Sequence, residues 1–414
     1  MQRLNAVVAA VAVGAAAAAV PQLPSLAGRI RAHLARGSCG DTIVTARAEQ
    51  PVGTPGAPAT SPDGLRQRIA DMESRLRAEP DDVAAAVALA DALLRQARAT
   101  NDGRPTNRAA EALQQVLRIH PSQYDALKML GAIELSRHRF RDALALGKRA
   151  RDLQPDDAWN YGVMGDALVE LGEYDEAFAA FDRMVTLKPH AAAYARIAYA
   201  RELRGDLDGA LSVMRMAVSA TSDHDVEARA WYTVQVAELL LAGGRIADAN
   251  REYRRAAFLF PNYPHAIVGL GKVMIARGDR DGALETYVEQ FRRTPTLDLA
   301  ARIGDLEARR GRPADAERYY RLAEEIAGPE IAQTEAHLAL FLAERDRRLP
   351  DAVRIAETVA ATRHDIFTDD ALAWSYYKAG RRADALAASQ RAMRTGTHDP
   401  RVLAHAAAIR ASVQ

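Results

Sequence analysis

Five prolines near the middle of the chain keep a fixed interval. Pro121, Pro155 and Pro189 lie 34 residues apart, as do Pro261 and Pro295, and the step from Pro189 to Pro261 is two such intervals plus four residues. Alanines run in phase with them: Ala109, Ala143, Ala177, Ala210, Ala249, Ala283, Ala316, Ala352 and Ala385. A period of this length marks an array of helical hairpins, each too small to bury its own apolar face and therefore stacked on its neighbours. The constraint fixes an all-α fold class, an α-α superhelical solenoid of about nine hairpins. It describes a binding scaffold and leaves the partner unnamed.

One period shows why such a unit folds. In Ala158 to Pro189, the segment AWNYGVMGDALVELG reads as a first helix and YDEAFAAFDRMVTLKP as a second, with apolar residues at helical spacing in both. Gly165 and Ala177 are small, which lets the two axes approach to the short end of the usual ~8–10 Å separation. Gly172 sits where the first helix must stop, a place that favours left-handed backbone. Pro189 ends the second helix because it has no N–H to give to the ladder. Met164, Leu168, Phe181 and Leu187 fill the space between.

The register recurs. The small site of the first helix is Gly131, Gly165, Ala198, Ala237, Gly271 and Gly304; the turn glycine is Gly172, Gly205, Gly244, Gly278, Gly311 and Gly380. The ring of the second helix is Phe181, Tyr253, Tyr287 and Tyr320. This pattern resembles the tetratricopeptide repeat family over residues 81–400, most closely over 124–189 and 230–295. Three places depart from it. An insertion, ATNDGRPTN, interrupts the first repeat, extra residues fill Thr221 to Arg229, and Arg347 stands where a turn glycine is expected.

Composition agrees with the array. A single compact core rarely grows past ~250–300 residues, whereas a solenoid buries its core repeat by repeat. Abundant alanine favours helix. The formal charge of +1 gives no global pull toward nucleic acid, so no nucleic-acid partner is expected. The ten histidines are scattered without metal-ligand spacing, and no catalytic set, metal site or cofactor loop can be assembled. Gly269-Leu270-Gly271-Lys272 lacks the strand that a phosphate loop needs. Two Arg-Gly-Asp tripeptides, at Arg204 and Arg277, fall on inter-helix turns, where Asp206 and Asp279 read as helix caps. The protein is expected not to be an enzyme.

The ends differ from the array. Arg3 precedes AVVAAVAVGAAAAAV, fifteen residues without charge, and Ser25-Leu26-Ala27 offers a small-x-small cleavage site. Residues 1–27 therefore read as a signal-like segment or membrane anchor, which places the protein in the periplasm or tethered to the membrane; a cytoplasmic location is the alternative. Residues 28–64, rich in Pro, Gly, Ala, Ser and Thr toward their end, read as a flexible linker. The lone cysteine, Cys39, excludes an intrachain disulfide. Residues 65–80 and 401–414 read as covering helices for the two ends of the array.

In the family that the repeats resemble, the first helices form a concave face that commonly holds an extended peptide or a partner helix. Register places Trp159, Asp166, Glu170, Tyr199, Glu202, Trp231, Glu238, Trp374 and Tyr377 on that face. Residues 156–189 carry eight acidic and two basic side chains. An acidic, aromatic groove suits a partner segment bearing Lys or Arg beside a large apolar anchor. Each tryptophan either meets a partner or packs against the next repeat. Family members that clamp chaperone carboxylates line this face with lysines and asparagines, whereas the corresponding sites here are Asp91, Ala132, Asp166, Tyr199, Glu238, Lys272 and Asp305. Two functions remain: a peptide-binding interaction module, or a structural assembly factor of the bacterial cell envelope that bridges several components of an export or polymer-handling complex.

Overall fold

A computed structural model describes residues 62–334 and 336–413. The signal-like segment, nearly all of the linker and Cys39 lie outside the described residues. Those described form twenty helices and no strand. They run α1 (Pro62–Ala78), α2 (Val83–Thr100), α3 (Pro105–Ile119), α4 (Tyr124–Ser136), α5 (Phe140–Leu153), α6 (Ala158–Glu170) and α7 (Tyr174–Leu187). The middle comprises α8 (Ala191–Leu203), α9 (Leu207–Ser219), α10 (Val226–Ala242), α11 (Ile246–Leu259), α12 (Pro264–Ala276), α13 (Arg280–Arg293) and α14 (Leu297–Arg309). The last part comprises α15 (Pro313–Thr334), α16 (His337–Glu344), α17 (Leu349–Ala360), α18 (Ile366–Lys378), α19 (Arg382–Ala392) and α20 (Pro400–Ala411). From α2 to α19 they pair into nine antiparallel hairpins, with α1 packed on α2 and α20 on α18 and α19. No helix among the described residues is long and apolar enough to cross a membrane.

Three hairpins close on a glycine facing a ring. A Cβ placed on Gly165, Gly271 or Gly304 would overlap the ring of Phe181, Tyr287 or Tyr320 respectively. In these three hairpins the two residue series picked out by period are the two halves of one contact, whereas Tyr253 meets Gly269 of the following hairpin. The in-phase Ala143, Ala177, Ala249 and Ala283 have no exposed surface. Such close packing leaves no room for an added methylene.

The turns follow the same economy. Gly172, Gly205, Gly244, Gly278, Gly311 and Gly380 all have positive φ, and the following N–H closes back on the first helix, as from Glu173 to the Leu168 carbonyl. Where glycine is missing, Asn101, His138 and Asp346 take the left-handed position. Arg347 is therefore not the substituted turn residue. It lies one residue later and forms ion pairs with Glu317 and Glu324 of α15. Asp206 and Asp279, the acids of the two Arg-Gly-Asp tripeptides, cap α9 and α13 by accepting from Gly209 and Gly282. Gly328 breaks α15 with non-helical backbone, so the seventh hairpin ends in a kink before the short α16.

The array does not stay open. Its superhelical turns meet edge to edge, with the start of a later helix against the end of an earlier one. Arg95 and Arg98 at the end of α2 reach Asp225 and Glu227 at the start of α10. Arg363, just before α18, reaches Glu170 at the end of α6. Ile366 of α18 belongs to the same apolar cluster as the residues from Leu65 to Val273. In consequence α10 is buried on every face from Glu227 to Leu240, apart from Arg229. A helix with no exposed stripe is a core helix.

Packing gives a first prediction. Ala177→Leu should overfill the hairpin contact and cost ~1–3 kcal/mol, read as a lowered denaturation midpoint with helix content retained. An unchanged midpoint would mean the register is wrong.

Candidate functional site

The nine residues expected on the concave face divide into two groups. Asp166, Glu170, Tyr199, Trp231 and Glu238 are buried, between 2% and 7% exposed. They do not line an open groove, because the superhelical turns press together over them. Trp159, Glu202, Trp374 and Tyr377 remain half-buried. The expectation of one broad acidic wall is therefore corrected to a packed interior with a few open patches.

The acids of this wall are occupied by bases from the same chain, generally one repeat further on. Arg196 of α8 donates to Asp166 of α6, its Nε 2.9 and 3.1 Å from the two carboxylate oxygens. Lys272 of α12 donates to Glu238 of α10 at 2.5 Å. Arg345, at the end of α16, donates to Asp305 of α14 at 2.9 and 2.6 Å. Reading Asp166 and Glu238 as free negative charge missed these partners. The sequence signal that could have found them is the base about one repeat downstream of each acid.

The seam between superhelical turns carries the longest-range pairs. Arg98 donates to both oxygens of Glu227, at 3.0 and 2.5 Å, with both side chains buried. His265 of α12 reaches the Arg98 backbone, and burial holds its imidazole down at about 4. Arg363 donates to Glu170 at 2.5 Å and to Asp365 at 3.0 Å, and its guanidinium lies 5.0 Å from the Phe140 ring centre. The Ile366 N–H donates to the Tyr174 hydroxyl at 2.9 Å, 192 residues away. Burial pushes the Asp166 and Glu170 carboxyls up, against the pull of Arg196 and Arg363.

The three tryptophans differ. Trp231 is core, edge-on to Tyr232 at 5.1 Å. Trp159 lies beneath the Lys128 ammonium, 5.6 Å from its ring centre, and Lys128 also pairs with Asp157. Trp374 stacks on His405 of α20 with ring centres 3.9 Å apart and lies 4.9 Å from Tyr377. Lys378 sits 5.7 Å above the Trp374 ring. Trp374, Tyr377 and Lys378 form one half-open aromatic and cationic patch, in which Lys378 also pairs with Asp346, and Tyr124, Lys128 and Trp159 form another. No group of three metal-ligating side chains occurs among the described residues.

A second prediction concerns the seam. Arg363→Ala leaves Glu170 and Asp365 buried without their cation and should cost on the order of 3–5 kcal/mol, measured by chemical denaturation. A loss below ~1 kcal/mol, the range of exposed pairs, would show that the seam is open in solution.

Residues 101–158, 163–225 and 237–296 match the tetratricopeptide repeat family. Solved structures with a similar fold include human IFIT1 with m7Gppp-AAAA, 16% identical, with a TM-score of 0.51 over 80% of this chain and 77% of that one. The human IFIT1 dimer with PPP-AAAA gives 16% identity and a TM-score of 0.50, over 80% and 78%. Yeast Tom70 is 13% identical with a TM-score of 0.43, over 86% and 87%. At these identities the likeness is one of fold. No curated protein matches the sequence. The matched segments and the stack of nine hairpins, three of them closed by a glycine against a ring, make this chain a member of the tetratricopeptide repeat family.

Proposed function

We propose that the protein is a non-enzymatic interaction scaffold that captures a protein partner at the open patches of its inner edge, not along a continuous groove. One observation carries this reading. The acids of the inner wall are held by internal bases, while Trp374 and Tyr377 keep half-exposed rings beside Lys378. Rigid aromatic rings with partial exposure supply contact area at low entropic cost, and a few such anchors dominate binding energy. The fitting partner is a segment with a large apolar anchor that covers the Trp374 and Tyr377 rings. A nucleic-acid partner is disfavoured, even though human IFIT1 was solved with m7Gppp-AAAA. Arg98, Arg196 and Arg363 are each matched to a carboxylate, so none is positioned to release counterions from a phosphate backbone.

A second reading has its own observation. The charged start followed by fifteen uncharged residues favours export, and with it a role as an assembly factor of the cell envelope. Fractionation separates the two, since a mature protein confined to the cytosol with Met1 intact removes the envelope role.

The scaffold reading predicts that Trp374→Ala with Tyr377→Ala weakens capture of the bound partner by at least about tenfold, since hot-spot truncations cost ~2 kcal/mol or more. Circular dichroism should stay unchanged. Undiminished capture by a folded variant would place the interface elsewhere.

A further inference from the structure

The turn glycines share one backbone shape and differ in what rests on them. A Cβ on Gly244, Gly278, Gly311 or Gly380 would meet nothing within 4 Å, whereas one on Gly172 would collide with the His364 carbonyl and one on Gly205 with the His398 ring. The two covered turns belong to successive hairpins, and the residues that cover them stand one repeat apart. Each covering histidine directly precedes the N-cap of a helix, Asp365 for α18 and Asp399 for α20. The remaining His-Asp pair of the sequence, His224-Asp225, precedes α10, whose start meets Arg95 at the other seam. The His-Asp pairs thus mark the helix starts that cross to a distant hairpin.

At the Gly172 turn the covering segment is held as a bound peptide would be. The His364 N–H donates to the Glu170 carbonyl at 3.3 Å, and the Ile366 N–H to the Tyr174 hydroxyl at 2.9 Å. The Arg363 guanidinium donates to the Glu170 carboxylate at 2.5 Å, with the Phe140 ring centre 5.0 Å away and His138 Nδ1 at 3.5 Å. Arg394 braces the segment from behind: it donates to the His364 carbonyl and lies 5.1 Å from the Tyr174 ring centre. Ile366 has no exposed surface and, with Phe367 beside it, joins the apolar cluster that spans Leu65 to Val273. The buried Ala371, Leu372 and Ala373 of the same helix belong to a separate cluster, from Ala300 to Ile409. Arg196 holds Asp166, so Glu170 is the acid that meets the segment, and Arg363 is the cation that offsets it. Arg363 also pairs with Asp365 of its own segment, and the two travel together.

We propose that residues 363–366 are an internal occupant of a peptide-binding seat on the α6–α7 corner, and that the seat accepts a partner segment of the same chemistry, an arginine followed three residues later by a branched apolar side chain. This surface is distinct from the Trp374 patch and is closed by the chain itself. Its preferences are read from its occupant. A carboxylate beside an aromatic ring selects a guanidinium, which can engage the one and stack on the other. Gly172, lacking a side chain, admits close backbone approach, and the Tyr174 hydroxyl accepts a backbone N–H. Withdrawing the segment takes Ile366 and Phe367 from one apolar cluster and leaves the C-terminal cluster whole, so the seat can empty without unfolding either set of hairpins. A tethered segment competes at an effective concentration on the order of millimolar, which makes the contact autoinhibitory.

The probe is the segment supplied in trans, the labelled peptide Ac-Thr-Arg-His-Asp-Ile-Phe-Thr-NH2, with the sequence of residues 362–368, titrated against the full chain by fluorescence anisotropy. Arg363→Ala removes the internal guanidinium from Glu170, and saturable binding to this variant is expected. The unaltered chain, whose own arginine competes, should bind the peptide about tenfold more weakly. A peptide with alanine in place of its arginine should bind the variant about tenfold more weakly, since one charge-assisted contact is worth about a factor of ten. Adding Glu170→Gln should abolish the preference for the arginine peptide. No saturable binding to the folded variant, equal binding of the alanine peptide, or equal affinity for the unaltered chain would overturn the seat. If circular dichroism shows that Arg363→Ala has lost its helices, the unaltered chain decides. Peptide at roughly millimolar concentration, matching the tethered competitor, should then speed exchange of the Ile366 amide several-fold, and an unchanged rate would overturn the proposal. None of these readouts involves Trp374 or Tyr377, so the seat and the scaffold reading fail separately.

Discussion

The arrangement of this protein depends on guanidinium groups that bridge helices far apart in sequence. Arg98 on Glu227 and Arg363 on Glu170 tie one superhelical turn to the next. Bringing these charges out of water costs several kcal/mol per ion, and only good geometry with further hydrogen bonds offsets it. That geometry is present: Arg98 engages both oxygens of Glu227, and Arg363 is shared between two carboxylates above an aromatic ring. Replacing such a pair by well-packed apolar residues is often neutral, whereas removing one partner alone is strongly destabilising. Here these pairs separate an open spiral from a closed one.

Closure changes what the inner surface can do. An open array would offer its first helices to a long peptide. In this chain α10 is buried almost all round, and the acids on α6 and α10 are neutralised by Arg196 and Lys272. The rings left half open lie instead at the C-terminal hairpin, where Trp374 and Tyr377 sit together. Local hairpin geometry sets the number of repeats, while a handful of charges sets the shape they share.

Much of the hairpin could be read from period alone. Gly165 and Phe181, Gly271 and Tyr287, and Gly304 and Tyr320 stood in separate series and meet as pairs. Hairpin contacts are local, so spacing reveals them. The seam was not legible, because Glu170 and Arg363 lie 193 residues apart and nothing in a repeat announces which later repeat it will touch. Acids on a first helix look the same whether they face water, a partner or a guanidinium two hundred residues away. The same ambiguity left each tryptophan open between packing and a partner; Trp231 packs in the core, whereas Trp374 is half-buried. Arg347 was singled out as an anomalous turn residue because a one-residue shift to Asp346 leaves no trace in periodicity.

The most direct measurement is hydrogen exchange at the Ile366 amide. It starts a helix and has no partner within that helix; its acceptor is the Tyr174 hydroxyl across the seam. A closed array predicts slow exchange that becomes fast in Tyr174→Phe. Exchange at the rate of an unprotected helix start in the unaltered chain would contradict closure, and with it the packed inner wall.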